Sequence, residues 1–108
     1  MKVNVLGTEY DMQVKGKAED DTLMRADGYC QNYSKKIVIK RTEDMLDGDA
    51  SIDAKKSRNE QVKRHELVHA FLFESGLDNR SDDEELVDWI AIQAPKLVRA
   101  FKDVENIC

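Results

Sequence analysis

Residues 57–76 read Ser57-Arg58-Asn59-Glu60-Gln61-Val62-Lys63-Arg64-His65-Glu66-Leu67-Val68-His69-Ala70-Phe71-Leu72-Phe73-Glu74-Ser75-Gly76. The stretch opens on Ser57 and Glu60 in the Ser-x-x-Glu spacing of a capping box, which satisfies free backbone amides of a first helical turn. It closes on Gly76, a residue suited to the left-handed position just past a helix end. Between these signals the spacing predicts one helix. Leu67, Val68, Ala70, Phe71, Leu72 and Phe73 cover nearly its whole circumference. A helix apolar all round is buried on several sides, so this one is expected to lie between a sheet and a further helical segment.

The flanking sequence supplies both. Downstream, Ser81-Asp82-Asp83-Glu84 is a second capping box. It opens a helix carrying Leu86, Val87, Ile90, Ala91, Ala94, Leu97, Val98 and Phe101, with Pro95 inside. At Pro95 the helix either kinks or restarts. Upstream, residues 2–6 and 9–15 alternate apolar and polar, with Tyr10, Met12 and Val14 on one face and a tight turn at Gly7-Thr8. Asp27-Gly28 is a further turn signal, followed by strand candidates at 29–33 and 36–40; residues 44–51 read as loop. The expected fold is α+β in a single domain, residues 1–108. A small N-terminal β-sheet (1–53) packs on the central histidine-bearing helix and a kinked C-terminal helical segment (54–108).

Composition narrows the function classes. The net charge of the 108-residue chain is −5, and its lysines and arginines are scattered. The densest basic cluster, from Lys55 to Arg64, is interrupted by Glu60, so a nucleic-acid partner is not expected. No apolar run approaches the ~20 residues that span a bilayer, and the opening residues lack the features of a signal peptide. A cytoplasmic protein without membrane contact is the expectation. Cys30 and Cys108 are expected as reduced thiols; neither sits in a Cys-x-x-Cys pair, so a structural zinc knuckle has no support.

The chemistry is carried by His65-Glu66-Leu67-Val68-His69, which holds both histidines of the chain. Positions i and i+4 lie one turn apart on one helix face, so two imidazoles there reach a single metal ion. Glu66 is rotated by about 100°, beside the metal rather than on it. That is the place of a general base, which takes a proton from water and passes it to a leaving amine. The bland alternative is a pair of packed histidines bonded to backbone groups. A catalytic zinc site uses three protein ligands, and residues 84–91 offer three carboxylates. Glu84 shares a face with Val87, Asp88 and Ala91; Asp88 is either an alternative ligand or the acceptor that orients a ligating histidine; Glu85 is turned away towards Trp89. A strictly antiparallel return of the chain would bring Asp88 nearest His69. Tyr10, Tyr29 and Tyr33 are candidates to stabilise an oxyanion, and Cys30 is a candidate blocker of the open metal position.

Residues 64–77, with Glu84-Glu85-Leu86-Val87-Asp88-Trp89-Ile90-Ala91 after them, resemble small phage- and prophage-encoded zinc metallopeptidases grouped near the ImmA/IrrE proteins. In that group the third ligand is a glutamate on the following helix, with a small residue three positions on and Asp or Asn four positions on. Glu84, Val87 and Asp88 fit that register, so the resemblance favours Glu84. It implies a Zn2+ cofactor, a protein or peptide substrate, sometimes a repressor, and hydrolysis in the host cytoplasm. The segment between His69 and Glu84 is short for the group. A chain this small is also expected to need a protein partner to complete a substrate groove. The competing expectation from another class is a non-catalytic, zinc-stabilised protein-binding module.

Overall fold

The structure, a computed structural model, describes residues 1–106, so Cys108 lies outside the described residues. Lys2–Val5 (β1) and Thr8–Lys15 (β2) pair antiparallel, with Val5 opposite Thr8. The loop between them is therefore Leu6-Gly7, one residue earlier than the sequence suggests. Both residues have positive φ, 52° and 91°, the backbone twist that two-residue hairpins require. Asn4 Oδ1 accepts from the Gly7 amide at 2.8 Å and braces the turn.

Gly28–Gln31 (β3) and Lys36–Lys40 (β4) form a second antiparallel pair, and β4 lies parallel to β2. The sheet order is β1-β2-β4-β3, which makes β3 an edge strand. Tyr33, expected within a strand, sits in the β3–β4 turn and is 90% exposed. Central β4 has Ile37, Val38 and Ile39 fully buried, as befits an interior strand covered on both faces. Tyr10, Met12, Ile37 and Ile39 form a core with Val5, Met45, Val62 and Ala70. Val14 shares the face of Tyr10 and Met12 but lies near the strand end, half exposed.

Helix α1 spans Ile52–Glu74. It begins before the Ser57 box: Ser51 is the N-cap, its hydroxyl accepting from the Ala54 amide at 3.1 Å. Its buried residues are Asn59, Val62, Glu66 and Ala70, a stripe at helical spacing. The helix is less enclosed than its composition suggests, with Phe71 49% exposed. Polar contacts fix both ends of α1 to the sheet. At one end Asn59 donates to the Lys40 carbonyl, and Asp27 accepts from Lys40 Nζ at 3.0 Å and Arg58 Nε at 2.9 Å. Burial raises the Asp27 pKa, but these two cations outweigh it and hold the carboxyl below its ordinary value. At the other end Glu74 accepts from Thr8, Tyr10 and Lys35.

Asp78–Ser81 (α2) leads into Glu84–Glu105 (α3). The N-cap of α3 is Asp83, which accepts from the Leu86 amide at 3.1 Å; Ser81, the expected cap, is buried and used elsewhere. The helix continues through Pro95 rather than restarting there. Proline has no N–H, so the carbonyl of Ala91, four residues back, loses its helical partner. Arg64 fills the vacancy, its Nε donating to the Ala91 oxygen at 2.6 Å. This bond fixes α3 against α1 one residue from His65. No helix among the described residues is long and apolar enough to cross a membrane.

The pairing of Arg64 with the carbonyl freed by Pro95 predicts a coupling. Arg64→Ala should destabilise the protein by about 1–3 kcal/mol, the cost of an unmet buried acceptor. In a Pro95→Ala background, where an amide again serves Ala91, most of that cost should vanish. Urea unfolding of the four proteins in the cycle measures it; equal costs in both backgrounds would remove the explanation.

Candidate metal centre

The i, i+4 spacing on α1 places His65 Nε2 and His69 Nε2 at 3.2 Å from each other. The first turn of α3 adds Glu84, whose Oε2 is 3.0 Å from His65 Nε2 and whose Oε1 is 3.0 Å from His69 Nε2. These three residues form the group among the described residues whose ligand atoms converge tightly enough for one ion. A tetrahedral zinc with bonds near 2.0–2.1 Å holds its donors about 3.3–3.4 Å apart. The 3.2 Å between the two Nε2 atoms is close to that spacing; each faces a different oxygen of Glu84, and one ligand atom from each of the three residues lies within 4.8 Å of the others. Ions bound by two imidazoles and a carboxylate are commonly zinc.

The opposite ring nitrogens settle where the imidazole protons go. His65 Nδ1 lies 2.8 Å from Asp88 Oδ1, a carboxylate that can only accept, so Nδ1 carries the proton. His69 Nδ1 lies 3.1 Å from Ser81 Oγ. The Ser81 hydroxyl donates its own hydrogen to the His69 carbonyl at 3.3 Å, so its oxygen accepts from His69 Nδ1–H. With Nδ1 carrying a proton on each ring, Nε2 is the nitrogen left to ligate a cation. Both Nε2 atoms also face the Glu84 carboxylate, each at 3.0 Å from a different oxygen. Burial pushes the His69 pKa down, with His65 adding to the effect against the pull of Glu84, which favours the neutral, ligating form.

Glu66 lines the same cleft, a cavity of about 670 Å³. It is only 7% exposed; its side chain makes no hydrogen bond or ion pair with the described residues, and its oxygens keep some access to the cleft. Burial raises its pKa to about 7; His65 lowers it, while Glu84 and Asp88 add smaller upward pushes. A cation at the centre would draw it down again. Gly28, read from sequence as a turn residue, has a different purpose here. A Cβ on it would meet Val62 Cγ1 at 2.9 Å, the Val38 carbonyl at 3.0 Å and Glu66 Cγ at 3.3 Å. Its missing side chain lets β3 close onto α1 directly over Glu66.

The other candidates separate cleanly. Asp88 contacts His65 through Nδ1 rather than joining the converging atoms. Glu85 is exposed and lies outside the cluster. Tyr10 is bound to Glu74 and Tyr33 stacks edge-on with Phe73, away from the histidines. Tyr29 lines the cleft, but its hydroxyl is held by Asp20 at 2.6 Å. Cys30 also lines the cleft. Burial, with Glu66 and Glu74 nearby, pushes its thiol up to about 12, and Sγ donates to Asn32 Oδ1. A thiol held in that protonated state is a poor metal ligand. Ser81 and Arg64 escaped the sequence reading because both act through tertiary contacts; Ser81 also imitates a helix cap.

No protein-family model, no curated protein and no solved structure matches the chain.

If Asp88 and Ser81 fix the imidazole tautomers, Asp88→Ala and Ser81→Ala should each weaken zinc binding about 10–100-fold while leaving one ion per chain at saturation. His65→Ala and Glu84→Ala should lose the site. Competition against a chromophoric chelator distinguishes these outcomes, and native affinity in Asp88→Ala would refute the assigned tautomer.

Proposed function

We propose that the chain is a zinc-dependent peptidase, with His65, His69 and Glu84 holding the ion and Glu66 acting as general base. The observation that carries this reading is the convergence of His65 Nε2, His69 Nε2 and the Glu84 carboxylate, with contacts of 3.0–3.2 Å, beside the largely buried side chain of Glu66. Zinc supplies Lewis acidity at such a point, acidifying water and polarising a carbonyl. The remaining work falls to the chain's own groups. Glu66 accepts a proton from the attacking water and delivers it to the departing nitrogen. Asp88 and Ser81 keep the imidazoles aligned throughout.

Edge strand β3 supports a polypeptide substrate. Asp27 O accepts from Lys40 N, and paired residues alternate along an antiparallel ladder. Tyr29 and Gln31 then bond inward to β4, leaving the backbone groups of Gly28 and Cys30 on the free edge. An extended segment added there would lie along the cleft that holds Glu66 and the histidines. The likeness to phage and prophage peptidases favours the same substrate class and a host-cytoplasm setting. A zinc-stabilised binding module would use the same three ligands. It has no need of Glu66, a largely buried carboxylate beside the cluster.

Glu66→Gln should retain one zinc per chain and lose about 10²–10⁴-fold in the rate of cleaving an unfolded protein such as reduced casein. Cleavage followed by mass spectrometry, with metal content measured on the same samples, is the check. Undiminished turnover in the Gln variant would eliminate Glu66 as base. Absence of cleavage by zinc-loaded native protein would favour the binding module.

A further inference from the structure

Most charges lining the cleft are accounted for within the protein. Asp27 and Arg58 neutralise each other, Asp88 holds His65, and Glu84 belongs to the metal centre. Apart from Glu66, two lining charges remain without a side-chain hydrogen bond or ion pair among the described residues: Arg25 and Asp82. They lie at opposite ends. Arg25 is two residues before Asp27, which bonds Arg58, whereas Asp82 follows Ser81, which bonds His69. Arg58 and His69 are separated by about 16 Å along α1 at 1.5 Å per residue. The cleft is thus positive at one end and negative at the other, with the metal centre nearer the negative end.

That polarity selects a direction for an extended segment on β3. β3 runs in the same sense as α1, from Gly28 over Val62 and Glu66 to Asn32, whose carbonyl meets Tyr10 near Glu74. A segment lying antiparallel to β3 carries its N-terminal part past Asp82 and its C-terminal part past Arg25. We infer that Arg25 is a specificity-determining residue selecting polypeptides that bear a carboxylate on the C-terminal side of the cleaved bond. The carboxylate is either an Asp or Glu side chain or a chain terminus, since a guanidinium pairs with both alike. This inference rests on the peptidase reading for the word "cleaved" but not for binding.

The test therefore reads binding without turnover. Zinc-loaded Glu66→Gln is incubated with two randomised ten-residue peptide libraries, one amidated at the C-terminus and one free, and bound peptides are sequenced. Enrichment of Asp and Glu by about tenfold at one position of the amidated library is expected, and it identifies the side-chain source. Enrichment confined to the free library identifies the terminus. Adding Arg25→Glu should invert the preference towards Lys and Arg, a reversal that mere loss of structure cannot produce. No acidic enrichment in either library, or a preference unchanged in Arg25→Glu, overturns the inference. Enrichment alongside a native protein that cleaves nothing would sink the peptidase reading and leave Arg25 as a binding determinant.

Discussion

His65 Nε2 and His69 Nε2 meet at 3.2 Å, and each lies 3.0 Å from a different oxygen of Glu84. The Nδ1 protons go to Asp88 and Ser81, and the Ser81 hydroxyl goes to the His69 backbone. With the Nδ1 protons directed outward, both Nε2 lone pairs and the Glu84 carboxylate can face one cation, and a bound cation makes their convergence favourable. The surrounding architecture reads as the means of imposing it: α1 supplies the spacing, α3 supplies the carboxylate, and the sheet holds α1 still.

Rigidity of α1 comes from both ends. Asn59, Arg58 and Asp27 fasten its first half to the end of β4, and Glu74 fastens its last turn to β2 and Lys35. Between them Val62 and Ala70 enter the core. The stripe that carries these apolar residues also carries Glu66, so packing turns a charged side chain inward. That placement costs stability unless the charge is used. Gly28 completes it by removing the one Cβ that would hold β3 away. Registration of α3 depends on Arg64 and the Ala91 carbonyl that Pro95 leaves free. A proline that might have broken the helix instead marks where α3 is attached to α1.

Features set by local periodicity were legible in the sequence. The two-helix, small-sheet α+β architecture followed from strand alternation, turn residues and helix punctuation. The histidine spacing needed only the pitch of a helix to be read. Features set by tertiary contact were not. Ser57-x-x-Glu60 imitates a helix start, yet Ser51 is the N-cap, its hydroxyl accepting from the Ala54 amide, and Arg58 and Asn59 lie well inside the helix where they reach Asp27 and Lys40. Ser81 resembles a cap and serves His69 instead. Gly28 resembles a turn residue and serves close packing. Among the three carboxylates of residues 84–91, helical phase separated Glu85 from the others. Only the position of α3 against α1 gave Glu84 the converging place and Asp88 the imidazole proton.

The most direct measurement is zinc K-edge X-ray absorption on the protein loaded with one equivalent of zinc. The account predicts two imidazole nitrogens and oxygen donors at about 2.0–2.1 Å with no sulfur in the coordination shell. A sulfur shell near 2.3 Å would bring Cys30 into the site and break the ligand assignment. Zinc that washes out of the native protein under chelator-free conditions would contradict the centre altogether.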